Sequence, residues 1–159
     1  MYARDHAVIA TPIGTVRVEG DDTQLVSVRI AHDLAPAAGA AVAVRGAIQQ
    51  LEQWFAGERR TFDLPLEPMS TPRGTALRQG LIDLGYGDTL SYGALARLLG
   101  SSPRAIGQLC ARNPFPIIVP CHRVLGAGGA LGHYSGGDGP KTKSWLLEHE
   151  RRIAGGTLL

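Results

Sequence analysis

Residues 91–126 read SYGALARLLGSSPRAIGQLCARNPFPIIVPCHRVLG, and the punctuation inside this stretch decides the fold. Tyr92, Leu95, Ala96 and Leu99 recur at helical spacing and stop at Gly100. Ser102 followed by Pro103 is a start signal, with serine as N-cap and proline at the first helical position, where its missing N–H costs nothing. Two short helices joined by a tight Gly-Ser-Ser turn predict a helix-turn-helix. Spacing divides the second helix into two sides, Ile106, Leu109, Cys110 and Asn113 against Arg104, Gly107, Gln108 and Ala111. The first side is mostly apolar and should pack. The second holds one cation, one amide and two very small residues, which suits either the close approach of a DNA backbone or packing against another helix.

After this pair, the prolines of NPFPIIVPCHRVLG (113–126) frame Ile117-Ile118-Val119, which reads as a buried strand delivering Pro120-Cys121-His122-Arg123 at its end. GALGHYSGGDGP (129–140) reads as a long loop, and Lys141 to about Ala154 as a closing helix opened by Asp138 or Gly139 ahead of Pro140. On that helix Leu146, Glu150 and Ile153 share a face, so one carboxylate is turned inward, whereas Glu148 shares the polar side with Ser144 and Arg152.

Before the pair, short β-branched stretches at 6–10, 15–19 and 24–30, separated by TPIG and EGDD, predict an antiparallel meander. Val44, Ile48, Leu51 and Phe55 then predict an amphipathic helix covering that sheet up to Gly57, and TFDLPL (61–66) resembles a closing strand. The proline-bearing EPMST (67–71) marks a boundary before a helix with Leu77, Leu81 and Leu84, capped by Thr71 and Pro72. The expectation is an α+β fold with two domains. Residues 1–66 form a sheet lobe with its covering helix, and residues 70–159 a mostly helical lobe with the helix-turn-helix.

The chain has 159 residues, enough to bury a core without disulfides. No apolar run is long enough to cross a bilayer, and the first residues lack the layout of a secretory leader, so no membrane association and a cytoplasmic location are expected. Cys110 and Cys121 are the two cysteines, too few for a disulfide framework and without zinc-ligand spacing. His6, His32, His133 and His149 are single histidines without a second ligand at suitable spacing, so neither a metal nor a cofactor is expected. Residues 1–70 hold six Lys/Arg against nine Asp/Glu, and residues 71–159 hold ten against five. A basic second half suits a polyanionic partner, although ordinary surface variation explains it as well.

Cys121 beside His122 has the two parts of an activated nucleophile, a thiol and a base that can hold its proton. Adjacent side chains on extended backbone point apart, so the chemistry requires a turn at Cys121. The inward Glu150 has two candidate partners: His122, which it would orient toward the thiol, or Arg123 in a structural ion pair. Cys110, four residues after Ile106 on the apolar side, reads as core rather than as a redox or acceptor thiol.

The run RAIGQLCARNP, PIIVPCHRV, HYSGG and WLLEHE resembles, in that order and over about residues 60–159, the O6-alkylguanine-DNA alkyltransferase family. The resemblance implies repair of alkylated DNA by irreversible transfer of the alkyl group from O6 of guanine to the protein's own Cys121, and leaves open whether O4-alkylthymine is a second substrate. It implies His122 acting through a water as base, Glu150 orienting it, Asn113 bracing the turn, and Tyr92 donating its hydroxyl to the guanine ring nitrogen. Val124, Tyr134 and Ser135 would line the base pocket. A monomer would bind double-stranded DNA through the minor groove, with Arg104 filling the gap left by the extruded nucleotide and Gly107, Gln108 and Ala111 facing the backbone. Arg73 and Arg78 stand where the family commonly has aromatic residues, so packing there must differ. The rival readings are a lesion-binding relative that flags damage without transfer, a helix-turn-helix regulator and a cysteine hydrolase. Relatives of the first kind lack the acceptor cysteine.

Overall fold

Alternation of β-branched residues builds a three-stranded antiparallel sheet in the order β1 (Asp5–Thr11), β2 (Gly14–Gly20), β3 (Leu25–Ala31). The structure is a computed structural model, and it describes residues 3–155. Val16 and Val18 of β2 are fully buried and pair with Ile30 and Val28 of β3. Strict alternation would place Val26 inward next. A register shift at Glu19/Gly20 instead brings Leu25 opposite Gly20 and buries it, because the extra residue reverses the phase of the strand.

α1 (Val42–Phe55) covers this sheet as expected, but on a rotated face. Its buried positions are Ala43, Val44, Ala47, Leu51 and Trp54, whereas Ile48 and Phe55 are only partly covered. The large Trp54 claims the core position and turns the helix toward it. Ala41 at the N-cap has no oxygen to offer, so carboxylates from elsewhere satisfy the orphan N–H groups. Asp5 accepts from Ala40 and Ala41, at 2.6 and 2.8 Å, and Asp22 from Val42 at 2.8 Å. TFDLPL does not form the expected strand. Leu66 makes a single parallel bridge to Leu25, since Pro65, lacking an N–H, and Pro68 prevent a ladder from continuing.

The chain divides into two compact units, Met1–Pro68 and Met69–Leu159. The second contains α2 (Pro72–Ile82), α3 (Tyr92–Leu99), α4 (Pro103–Ala111) and α5 (Pro140–Ala154), with two-residue strands β4 (Leu90–Ser91) and β5 (Val124–Leu125) paired in parallel. Two of its caps are those read from the sequence, Thr71 and Ser102, which accept from the N–H groups of Gly74 and Ala105, and Ser91 adds a third by accepting from Ala94 N–H. α3 ends at Gly100 in the left-handed conformation, φ 63°, which only glycine adopts freely. Arg73 donates to the Gly100 carbonyl at 2.7 Å, bracing the turn between α3 and α4, and the Arg78 guanidinium lies 5.3 Å from the centre of the Phe115 ring.

The predicted strand at Ile117–Val119 is a turn. The three residues are buried as expected, but Ile117 takes φ 75°, and Val119 N–H bonds back to the Phe115 carbonyl at 2.9 Å. Prolines at 114, 116 and 120 remove the donors a strand needs, so apolar burial here signals a packed turn. α5 starts at Gly139 without a side-chain cap, and the Asp138 N–H instead bonds to Thr142 Oγ1. No helix among the described residues is long and apolar enough to cross a membrane.

Candidate active site

The bend that Cys121 requires is supplied by a 3-10 turn, Cys121–Arg123, in which Cys121, His122 and Arg123 are all buried. Asn113, at the end of α4, fixes that turn from three directions. Its amide nitrogen donates to the Val119 carbonyl at 3.1 Å and lies 3.5 Å from Cys121 Sγ, while its oxygen accepts from Phe115 N–H at 2.9 Å. The bracing role implied for Asn113 thus has a geometry.

Glu150 reaches the turn from α5 and answers both alternatives that the sequence left open. One oxygen lies 2.8 Å from His122 Nε2 and 2.7 Å from Arg123 Nη2, and the other accepts from Arg123 Nε at 2.9 Å and from Gly87 N–H at 3.2 Å. Arg123 also donates to the Leu84 carbonyl at 2.6 Å. Both His122 and Glu150 are 0% exposed. Burial alone would raise the Glu150 pKa, but the hydrogen bonds and charge of His122 and Arg123 overcome it and hold the carboxyl at about 2. Burial depresses the His122 pKa below its ordinary value, against the pull of Glu150. A neutral ring facing a carboxylate carries its proton on Nε2, which leaves the Nδ1 lone pair as the basic site.

Cys121 borders a cavity of about 300 Å³, whose wall also includes Tyr92, Gly107, Cys110, Ala111, His133, Tyr134 and Ser135. Contact with the Cys110 thiol and burial push the Cys121 pKa well up, so the resting group is the thiol. Burial raises Tyr92 to about 12 and Tyr134 higher, so both phenols keep their protons at neutral pH. Val124 does not reach this wall. Its side chain is buried in β5 and its carbonyl accepts from Lys143 Nζ at 2.6 Å.

On α4, Ile106 and Cys110 are buried, while Leu109, expected to pack with them, is only partly covered. Arg104, Gln108 and Ala111 are exposed. Gly107 has helical backbone, and a Cβ placed on it would meet nothing within 4 Å among the described residues. Neither conformation nor internal packing needs a glycine there. Gly107 and Ala111 belong at once to this outer side and to the cavity wall, and the cavity therefore opens beside the helix surface.

Two features escaped the sequence reading. Cys110 lines the cavity as well as filling core. Lys143, fully buried, bonds the Val124 and His133 carbonyls and lies 5.8 Å from the Tyr92 ring centre. Its phase relative to Leu146 and Glu150 would have placed it on the inward stripe. Among the described residues no cluster of three or more His, Cys, Asp or Glu gathers to hold a metal.

Comparison with known proteins finds matches over both units. Residues 75–152 match the DNA binding domain of 6-O-methylguanine DNA methyltransferase, and residues 6–68 its ribonuclease-like domain. A methylated-DNA–protein-cysteine methyltransferase of Mycobacterium bovis is 36% identical over 163 residues, covering 96% of this chain and 97% of its own. A DNA base-flipping protein of Thermus thermophilus is 39% identical over 145 residues, covering 89% of this chain and 97% of its own. The Mycobacterium tuberculosis OGT solved in complex with DNA superposes with a TM-score of 0.80 at 35% identity, covering 93% of each chain. With both domains matched in order and a relative aligned end to end, the chain belongs to the 6-O-methylguanine DNA methyltransferase family.

Proposed function

We propose that this protein repairs DNA by taking the alkyl group from O6-alkylguanine onto Cys121, once per molecule. The observation that carries the reading is a thiol held by Asn113 on the wall of a cavity, directly before a His122–Glu150 pair, with that cavity opening beside the outer side of α4. The Cys121 proton passes through a water to His122 Nδ1 as the sulfur attacks the alkyl carbon. The new S–C bond forms while the C–O6 bond breaks. Negative charge left on the purine is met by the Tyr92 hydroxyl, which holds its proton at neutral pH and is a competent donor. The product thioether has no means of hydrolysis, so turnover stops after one event.

O6 of a stacked guanine is beyond reach of a buried thiol, and the reading therefore requires an extruded nucleotide. Arg104, exposed at the start of α4, fills the vacated stack, and Gly107, Gln108 and Ala111 lie against the minor-groove backbone. Tyr134 and Ser135 wall the base, and O4-alkylthymine presents a similar alkyl oxygen. Residues 1–66 act as an accessory domain to the machinery in 70–159. The protein works as a monomer in the cytoplasm, where its thiols stay reduced, and needs no cofactor.

The test is mass spectrometry of the protein mixed with duplex DNA containing one O6-methylguanine, beside a Cys121→Ala control. The expected result is one methyl on the Cys121 peptide, matched by equal loss of lesion and absent from the control. Lesion binding without modification would transfer the protein to the damage-flagging class.

A further inference from the structure

Cys110 is the nucleophilic group in the cavity that the transfer reaction does not use. It is the last buried residue of α4, and Asn113, two residues beyond the end of that helix, places its amide 3.5 Å from Cys121 Sγ. Cys110 and Cys121 both border this one cavity, and the Cys110 thiol is the neighbour that most raises the Cys121 pKa. Both are free, and the space of about 300 Å³ before them admits a molecule the size of hydrogen peroxide.

We propose that Cys110 and Cys121 are a redox couple, closed by peroxide into a disulfide that reversibly removes the acceptor thiol. The functional consequence rests on Cys121 being the acceptor; the bond itself does not. One sulfur attacks the peroxide, forming S–O and breaking O–O, with water leaving and a sulfenic acid remaining. The second sulfur attacks the first, S–S forms, S–O breaks, and a second water departs with the second thiol proton. The two thiols lose two electrons and the peroxide gains them. Without Cys110, a sulfenic acid on Cys121 has no adjacent thiol to trap it and oxidises onward to the sulfinic acid, which thiols do not reverse. The partner cysteine thus keeps a single-use protein from being spent on oxidant instead of lesion.

The experiment treats the intact protein with hydrogen peroxide, blocks remaining thiols, and digests it with trypsin without reduction. Cleavage after Arg112 separates the two cysteines into Ala105–Arg112 and Asn113–Arg123, so a disulfide appears as these two peptides joined. The expected result is that linked species, with transfer from O6-methylguanine duplex lost on oxidation and restored by dithiothreitol. In Cys110→Ala, Cys121 gains oxygen and dithiothreitol restores nothing. Cys121 gaining two or three oxygens in the unsubstituted protein while Cys110 stays free, or links formed only between molecules, overturns the proposal. Methyl uptake by untreated Cys121 without any linked peptide leaves the repair reading intact and sinks only the couple. A linked peptide in a protein that takes no methyl does the reverse.

Discussion

Replacing Glu150 by Gln keeps the shape of the buried hub and removes its charge, which separates architecture from chemistry. The folded carboxyl titrates at about 2 against an ordinary 4.5. That shift corresponds to about 3 kcal/mol of stability at neutral pH, at roughly 1.4 kcal/mol per unit. A depressed carboxyl contributes stability that is complete above its unfolded pKa and disappears as pH falls through its folded one. Unfolding free energy from urea titration should therefore decline from about pH 4.5 toward pH 2, adding to the loss that His122, also depressed, begins below 6.5. Glu150→Gln should lose about 3–5 kcal/mol at pH 7, because Arg123 becomes a buried cation without its counterion, and should converge with the unsubstituted protein near pH 2.

The chemical effect has a separate cause. A Gln amide nitrogen facing His122 Nε2 is a donor against a donor, and the ring relieves it by moving its proton to Nδ1. The Cys121 proton then has no acceptor, and single-turnover transfer should slow by roughly 10²–10⁴ while lesion binding persists. A flat stability profile between pH 5 and pH 2.5 would refute the reasoning without any variant needing to fold. So would a Glu150→Gln protein that transfers at the unsubstituted rate.

Arg104→Ala should slow transfer from duplex DNA while leaving reaction with the free base O6-benzylguanine unchanged, because a stack-filling side chain matters only when a nucleotide must leave the helix; equal slowing of both would remove Arg104 from that role. Gly107→Leu should leave thermal unfolding unchanged or raise it slightly, since helix propensity improves by up to about 1 kcal/mol over glycine, yet weaken duplex binding in a gel-shift titration. Undiminished binding would mean that α4 does not face DNA. Asn113→Ala strands the Val119 carbonyl and the Phe115 N–H, and should cost about 2–4 kcal/mol in urea unfolding together with slower transfer.

The helix-turn-helix was legible because its signals are local: Ser102 and Pro103 start a helix, and Gly100 ends one, whatever surrounds them. Glu150 was legible by phase on α5. The turn at Ile117–Val119 was not, because hydrophobicity reports burial and strands and packed turns bury alike; the three flanking prolines were the evidence to weigh. Trp54 is hard to tell from Phe55 in the sequence because two adjacent aromatics fit one periodicity almost equally, and the sheet beneath decides between them. Lys143 draws no notice in the sequence because lysines are usually solvated, although it lies a full two turns before Glu150 on the same stripe.

The double use of Glu150 resolves a conflict inherent in a buried His–carboxylate pair. A carboxylate bonded to imidazole alone raises the ring's pKa, and an imidazolium accepts no proton from a thiol. Burial is the larger force against this, and Arg123 adds to it: it binds Glu150 through two bonds, and its own charge opposes protonation of His122. The ring is therefore oriented by a carboxylate without being charged by it. Buried ion pairs seldom repay their desolvation, so tuning the base explains this arginine better than stability does. Arg123→Met should consequently raise the His122 pKa and shift the acid limb of the transfer rate upward. In the unsubstituted protein that limb lies below pH 6.5, and in the variant it moves upward from there. Transfer rates across pH 5–8, measured alongside lesion affinity, distinguish this from a loosened fold, which would lower the rate at every pH without moving the limb. An unmoved limb would leave Arg123 a structural counterion only.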